Sequence, residues 1–298
     1  MNDMVYRMEA VFPAARPEQI IYTPNPGNMA PPFLAFAAQW IIDNGAAGVS
    51  AASAFARYTY EPGPKRGEAE TLFDDALELV EGYRRIDNIT DEALAHFQQA
   101  FGPSVTKDQI FTYVYGVLHS AQYRERFAAD LKKMLPRIPL AKDLADFQAF
   151  ADAGQRLMDL HIGYETVEPY PLQEQTKAAV DMDEWELYAV GDKKMKFPKR
   201  KGETDRTTLI YNSHVTLSGI PEEAFRYQLG SRSALEWIVD RYYIKTDKAS
   251  GIVNDPNAWS REVGDARYIR DLVGRVITVS LETMQIVDSL PELDLDKA

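Results

Sequence analysis

The sequence predicts an α+β fold, and three observations carry that reading. Helical periodicity with capping signals runs through 71–163 and returns after 221. Alternating, β-branched and aromatic strings occupy the first 66 residues and the region 184–219. Of the 298 residues 45% are hydrophobic and 26% charged, with sixteen Tyr, thirteen Phe and four Trp, a balance that buries a sizeable core rather than remaining disordered. The expected organisation is one integrated domain in three segments: 1–70 rich in strand and loop, 71–163 helical, and 164–298 with a strand hairpin region followed by helices.

The opening segment is rich in Pro, Gly and Ala. EQIIYTP (18–24) reads as a buried strand stopped by proline. PPFLAFAAQWIIDNG (31–45) is apolar and fits helix or strand. SAFARYTYEPGP (53–64) alternates and then ends at Pro and Gly. From 71 the spacing predicts five helices. TLFDDALELVEGYRR is amphipathic. NITDEALAHFQQAFG offers Thr90 as cap and Gly102 as stop. TKDQIFTYVYGVLHS opens with Thr106 and Gln109 at capping-box spacing. Ser120 caps AQYRERFAADLKKML, and KDLADFQAFADAGQRLMDLHIG ends at Gly163. Beyond 164, EWELYAVG (184–191) and TTLIYNSHVTLSG (207–219) read as strands. PEEAFRYQLG, SALEWIVDRYYI and ARYIRDLVGRVITVSLETMQIVDSL read as helices, with a polar loop over 246–265.

Several chemistries are excluded. With no cysteine there is no disulfide, zinc–thiolate site or catalytic thiol. No apolar run reaches the ~18 residues that span a membrane, and MNDMVYRMEAVFP lacks the basic start and apolar stretch of a signal peptide, so the chain reads as cytoplasmic with no membrane partner. No GxxxxGK[ST] loop, GxSxG elbow, HExxH or EF-hand loop is present. NMAPPF (28–33) is faintly similar to the NPPF motif of amino-methyltransferases, but two inserted residues spoil the tight loop that motif needs. Asp192-Lys193-Lys194 satisfies half of a nuclease pattern and lacks its upstream acid. His96, His119, His161 and His214 are scattered, and the first three fit helix packing or capping.

One stretch resists the acidic net charge of −12: KKMKFPKRK (193–201), six of whose nine residues are Lys or Arg. It lies between two strand patterns, and Pro198 and Gly202 mark a hairpin tip or loop. Such cations can neutralise phosphates with release of counterions, and the fork of Arg200 can pair with guanine. A solvated loop, or a patch docking on an acidic neighbour, satisfies the same composition. Two further cationic sets, Arg226, Arg232, Arg241, Lys245 and Lys248, and Arg124, Arg126, Lys132, Lys133 and Arg137, read as wet helix faces. The aromatics of YTYEP (58–62) and GYETVEPYPL (163–172) interleave with polar residues as base-stacking platforms do, and core or loop packing is the preferred reading.

A set of longer strings carries a resemblance. They are NDMVYRM…VFP (2–12), DNITDEALAHF (87–97), TKDQIFTYVYGVLHSAQYRERFAADLKKMLPRIP (106–139), AGQRLMDLHIGYETVEPYPL (153–172), TLIYNSHVTLSGIPEEAFRYQLGSRSALEWIVDRYYIKTDKASGIVNDPN (208–257) and YIRDLVGRVITVSLETMQIVDSLP (268–291). Together they resemble the C-terminal specificity region of Type ISP restriction–modification enzymes, polypeptides that join nuclease, helicase-like ATPase, N6-adenine methyltransferase and target-recognition parts. The resemblance implies a DNA target-recognition domain that is not an enzyme by itself. It implies double-stranded DNA and the remaining methyltransferase and helicase–nuclease domains as partners. It implies no cofactor on this chain, with S-adenosylmethionine, ATP and Mg used by the parent enzyme. The alternative reading is a non-catalytic interaction module that docks a separate modification subunit. The matching strings are mostly scaffold, so the expected DNA contacts fall between them: Lys193, Lys194, Lys196, Lys199, Arg200, Lys201 and Arg206, with Arg232 nearby.

Overall fold

The computed structural model describes residues 18–27, 33–40, 42, 52–63, 79–80, 82–177 and 181–294. The chain divides into two compact units, Met1–Ile162 with Ser289–Ala298, and Gly163–Asp288.

The first unit begins with β1 (Ile20–Pro24), whose five residues are all buried. It lies between β2 (Phe36–Ala38) and β3 (Ala52–Ala56) in an antiparallel sheet of order β2-β1-β3, with Ile20 opposite both Ala38 and Ala56. Burial on both faces explains why IIYTP shows no alternation of apolar and polar positions. A second sheet of order β4-β6-β5 joins β4 (Tyr58–Pro62), β5 (Leu79–Val80) and β6 (Tyr83–Asp87). The helix read over 71–85 is therefore corrected at its end, and 71–78 lie outside the described residues. Gly82 takes φ 86, which starts a new strand rather than continuing a helix. Cross-strand contacts then hold β6 in place: Arg84 donates to Glu61 at 2.6 Å, and the Arg85 guanidinium sits 4.4 Å from the centre of the Tyr58 ring.

The helical part follows its capping signals closely. α1 (Asp91–Phe101) starts where the Thr90 side chain accepts from the Ala93 amide, and stops at Gly102 with φ 100. α2 (Lys107–His119) opens with the full Thr106–Gln109 capping box. α3 (Ala121–Arg126), capped by Ser120, is shorter than the helix expected to reach residue 135. Beyond Phe127 the backbone bonds mix i−3 and i−4 spacing, and the Tyr123 hydroxyl donates to the Arg137 carbonyl at 2.8 Å. α4 (Leu144–Ile162) packs on α2 through two glycines. A Cβ on Gly154 would lie 1.8 Å from the Thr112 carbonyl oxygen, and one on Gly116 would lie 2.3 Å from that of Phe150. Phe97, Phe101, Tyr113, Phe147 and Phe150 form the aromatic core alongside, with ring centres 4.9–6.1 Å apart.

The second unit is built on a sheet of order β10-β11-β7, from β7 (Gln173–Thr176), β10 (Thr208–Ile210) and β11 (Val215–Ser218). EWELYAVG, read as strand, begins instead with α5 (Glu184–Tyr188), because Asp183 caps it by accepting from the Glu186 amide at 2.8 Å. Next comes the hairpin of β8 (Lys199–Arg200) and β9 (Glu203–Thr204). PEEAFRYQLG, read as helix, holds one 3₁₀ turn and then pairs β12 (Gln228–Leu229) with β13 (Arg232–Ser233). α6 (Ala234–Arg241) begins with a Ser233–Glu236 capping box. The expected polar loop over 246–265 contains a short hairpin of β14 (Lys245–Thr246) and β15 (Val253–Asn254). It then forms α7 (Asn257–Val263), ended by Gly264 at φ 72. The amphipathic α8 (Tyr268–Asp288) buries Leu272, Val273 and Ile277 in a core with Leu209, Leu217 and Leu235. The α+β class holds in both units. No described helix is long and apolar enough to cross a membrane.

Candidate nucleic-acid interface

The basic stretch alternates because it is strand-like. Met195 is buried in the second unit's core, and Phe197 packs edge-on against Phe225 at 5.5 Å between ring centres. Lys194 and Lys196 on either side of Met195 are therefore turned out to solvent. Lys196 exchanges both backbone bonds with Ile210, at 3.1 and 2.9 Å, which ties the stretch to the edge of β10. The chain then enters the β8–β9 hairpin, in which Lys199 faces Thr204 and Arg200 faces Glu203. The two residues between the strands, Lys201 and Gly202, have φ 53 and φ 91. That is the positive-φ pair of a tight hairpin whose twist matches its strands. Among the described residues Lys201 is the only non-glycine with positive φ. The Asp205 amide closes the base of the hairpin by donating to the Pro198 carbonyl at 2.8 Å.

The eight expected contact residues fall into two groups. Lys193, Lys196, Lys199 and Lys201 are exposed and form no ion pair among the described residues. Lys194, Arg200, Arg206 and Arg232 each meet an acid. Lys194 donates to Asp240 at 2.6 Å, and Arg232 reaches the same carboxylate at 2.6 Å. Arg206 lies 3.3 Å from Glu236, with its guanidinium 4.9 Å from the centre of the Phe225 ring. Arg200 Nε lies 2.7 Å from Asp205. The hydrogen bond from Lys194 holds the Asp240 carboxyl below the usual carboxylate range against partial desolvation, and Arg232 adds to this.

The acids on α6 are the part that composition does not single out. Glu236 and Asp240 are four residues apart and so share one helix face. Trp237 between them donates to the Leu229 carbonyl at 2.8 Å, with Arg232 and Arg241 5.3 and 5.1 Å from its ring. Their spacing in SALEWIVDR is the available sequence signal. Of the other cationic residues, Arg226 makes a two-pronged pair with Asp288 at 2.8 Å, the behaviour of a solvated face.

Two of the four histidines, His119 and His161, pack together, while His96 is exposed. In the first unit the buried His119 ring and the partly buried His161 ring are 5.3 Å apart, and the Tyr115 hydroxyl meets His161 Nδ1 at 2.7 Å. Among the described residues no three His, Asp or Glu side chains converge as a metal ion requires.

A family model, the Type ISP C-terminal specificity domain, matches residues 1–272. The chain belongs to that family. Three solved structures are similar over nearly its whole length. A nuclease-deletion mutant of the Type ISP restriction-modification enzyme LlaGI, in complex with a DNA substrate mimic, is 34% identical with a TM-score of 0.73, covering 98% of this chain and 23% of that one. The ATP-dependent Type ISP enzyme LlaBIII bound to DNA is 30% identical with a TM-score of 0.77, covering 98% and 17%. DrdV in its DNA complex is 31% identical with a TM-score of 0.76, covering 99% and 27%. The chain thus spans about a quarter or less of the length of these relatives. No curated protein matches the chain.

Proposed function

We propose that this chain recognises a short sequence in duplex DNA, as the specificity part of a restriction–modification enzyme, and carries no catalysis itself. The single observation that supports this most is the β8–β9 hairpin. It is a two-stranded ribbon, a form that enters a major groove, and it bears or adjoins four exposed lysines that form no ion pair among the described residues. Family membership and the DNA present in the three similar structures support the same reading. In this reading Lys193, Lys196, Lys199 and Lys201 contact phosphates. Lys194, Arg206 and Arg232, held by α6, frame the ribbon and make weaker contributions. The methyltransferase and helicase–nuclease parts of the parent enzyme, working in the cytoplasm, supply the S-adenosylmethionine, ATP and Mg chemistry. The net charge of −12 fits because attraction at cellular salt is local, with a Debye length of about 8 Å. Acidic surface remote from the ribbon has little effect on it. The test is the binding of duplex DNA after the four lysines are changed to alanine. Affinity must fall and lose part of its salt dependence.

A further inference from the structure

We infer that Asp205 is a positioning residue for base recognition, aiming the guanidinium of Arg200 at a guanine edge; this rests on the DNA reading above. Arg200 sits one residue before the hairpin turn with its side chain 71% exposed, whereas the Asp205 side chain is only 10% exposed. Asp205 is too enclosed to meet a base, and it is fixed from several sides. Its Oδ1 accepts from the Thr207 amide at 3.0 Å and from the Thr207 hydroxyl at 2.6 Å, and its own amide donates to Pro198. Its Oδ2 lies 2.7 Å from Arg200 Nε yet accepts no directed hydrogen bond. The contact is therefore charge on charge, and it restrains the guanidinium without consuming its terminal donors. One of those donors reaches the Thr208 hydroxyl at 3.5 Å, the long limit of a hydrogen bond. A guanidinium held on its Nε side keeps a two-pronged donor edge, the geometry that matches guanine O6 and N7.

Charge sharpens the assignment. With a carboxylate beside it, Arg200 is locally neutralised and a phosphate would face Asp205 as well. Guanine offers two neutral acceptors and meets no such repulsion. Arg200 should therefore contribute to choice of sequence and little to counterion release, the reverse of the four lysines.

The experiment partitions a randomised duplex library on the 298-residue chain, then measures affinity for the enriched duplex with each base pair replaced in turn. Arg200→Lys keeps the charge and loses the fork. It and Arg200→Ala are expected to abolish discrimination at one G·C pair, a loss of about 10- to 100-fold, while other positions and the salt slope stay unchanged. Asp205→Asn is expected to lose about tenfold at that same pair. Thermal melting within a few degrees of the unaltered chain shows that each variant is folded. Uniform weakening at every position or a changed salt slope with Arg200→Lys, or unchanged discrimination with Arg200→Lys or with Asp205→Asn, overturns the inference and leaves the DNA reading standing. A library from which the unaltered chain enriches no motif overturns both.

Discussion

Changing Lys193, Lys196, Lys199 and Lys201 to alanine together removes the four expected contacts that meet no acid among the described residues. None forms an ion pair among the described residues, so each is available to displace one condensed counterion from duplex DNA. At about 0.9 in the salt slope per phosphate contact, four contacts account for a slope of roughly 3.6. Between about 50 and about 200 mM salt the unaltered chain should therefore lose roughly 150-fold more affinity than the variant. Lys194→Ala is the internal control. Its ammonium is already held 2.6 Å from Asp240, so its removal should move the slope by much less than one lysine's share. Stability should change by no more than about 0.5 kcal/mol, since all four side chains are exposed. The positive φ at residue 201 strains alanine as it strains lysine, so it does not confound the comparison. Fluorescence anisotropy of a labelled duplex, titrated at several KCl concentrations, reads both affinity and slope. Equal slopes for the unaltered chain and the four-lysine variant would refute the reasoning, whatever the absolute affinities.

Two further predictions concern the first unit. Gly154→Ala should cost about 3 kcal/mol or more in urea denaturation, because its Cβ would lie 1.8 Å from the Thr112 carbonyl oxygen and α2 and α4 must separate to admit it. A loss below about 1 kcal/mol would mean that the helices are not held at this distance. Burial pushes His161 down to about 3 and lowers His119 well below the usual histidine range, with the Arg124 charge adding to both. Their folded-state values lie below the unfolded one, so their stability contribution is intact above about pH 6.5 and is lost as pH falls. Each histidine costs about 1.4 kcal/mol per pH unit below that point, or about 2 kcal/mol by about pH 5. The pH dependence of unfolding over this window should flatten in a His119→Gln, His161→Gln double variant. An identical slope in both chains would contradict the buried, neutral assignment.

Local signals were legible where they act locally. The Thr90, Thr106 and Ser120 caps and the helix stop at Gly102 stand in the structure as the spacing predicts, because a cap needs only residues within one turn. IIYTP and the strands of TTLIYNSHVTLSG were legible for the same reason. What escaped depends on partners distant in sequence. The 83–87 segment has helical spacing but becomes a strand because 58–62 lies opposite it. EWELY has a strand-like composition, and the Asp183 cap decides for a helix. The basic run was visible as a run, but the tip expected between EWELYAVG and TTLIYNSHVTLSG is instead a separate hairpin at 199–204, since 184–188 is helix. Which cations are free was not visible, because Lys194 is separated from Asp240 by 46 residues and Arg206 from Glu236 by 30. That the Asp205 carboxylate is enclosed beside Arg200 likewise follows only from the fold.

Selection from a randomised duplex library by the unaltered chain tests the central claim most directly. The account predicts enrichment of one short motif, with protection of the duplex centred on that motif and lost in the four-lysine variant. Binding that is equal for all sequences, or affinity for the enriched duplex that survives loss of the four lysines unchanged, would contradict it.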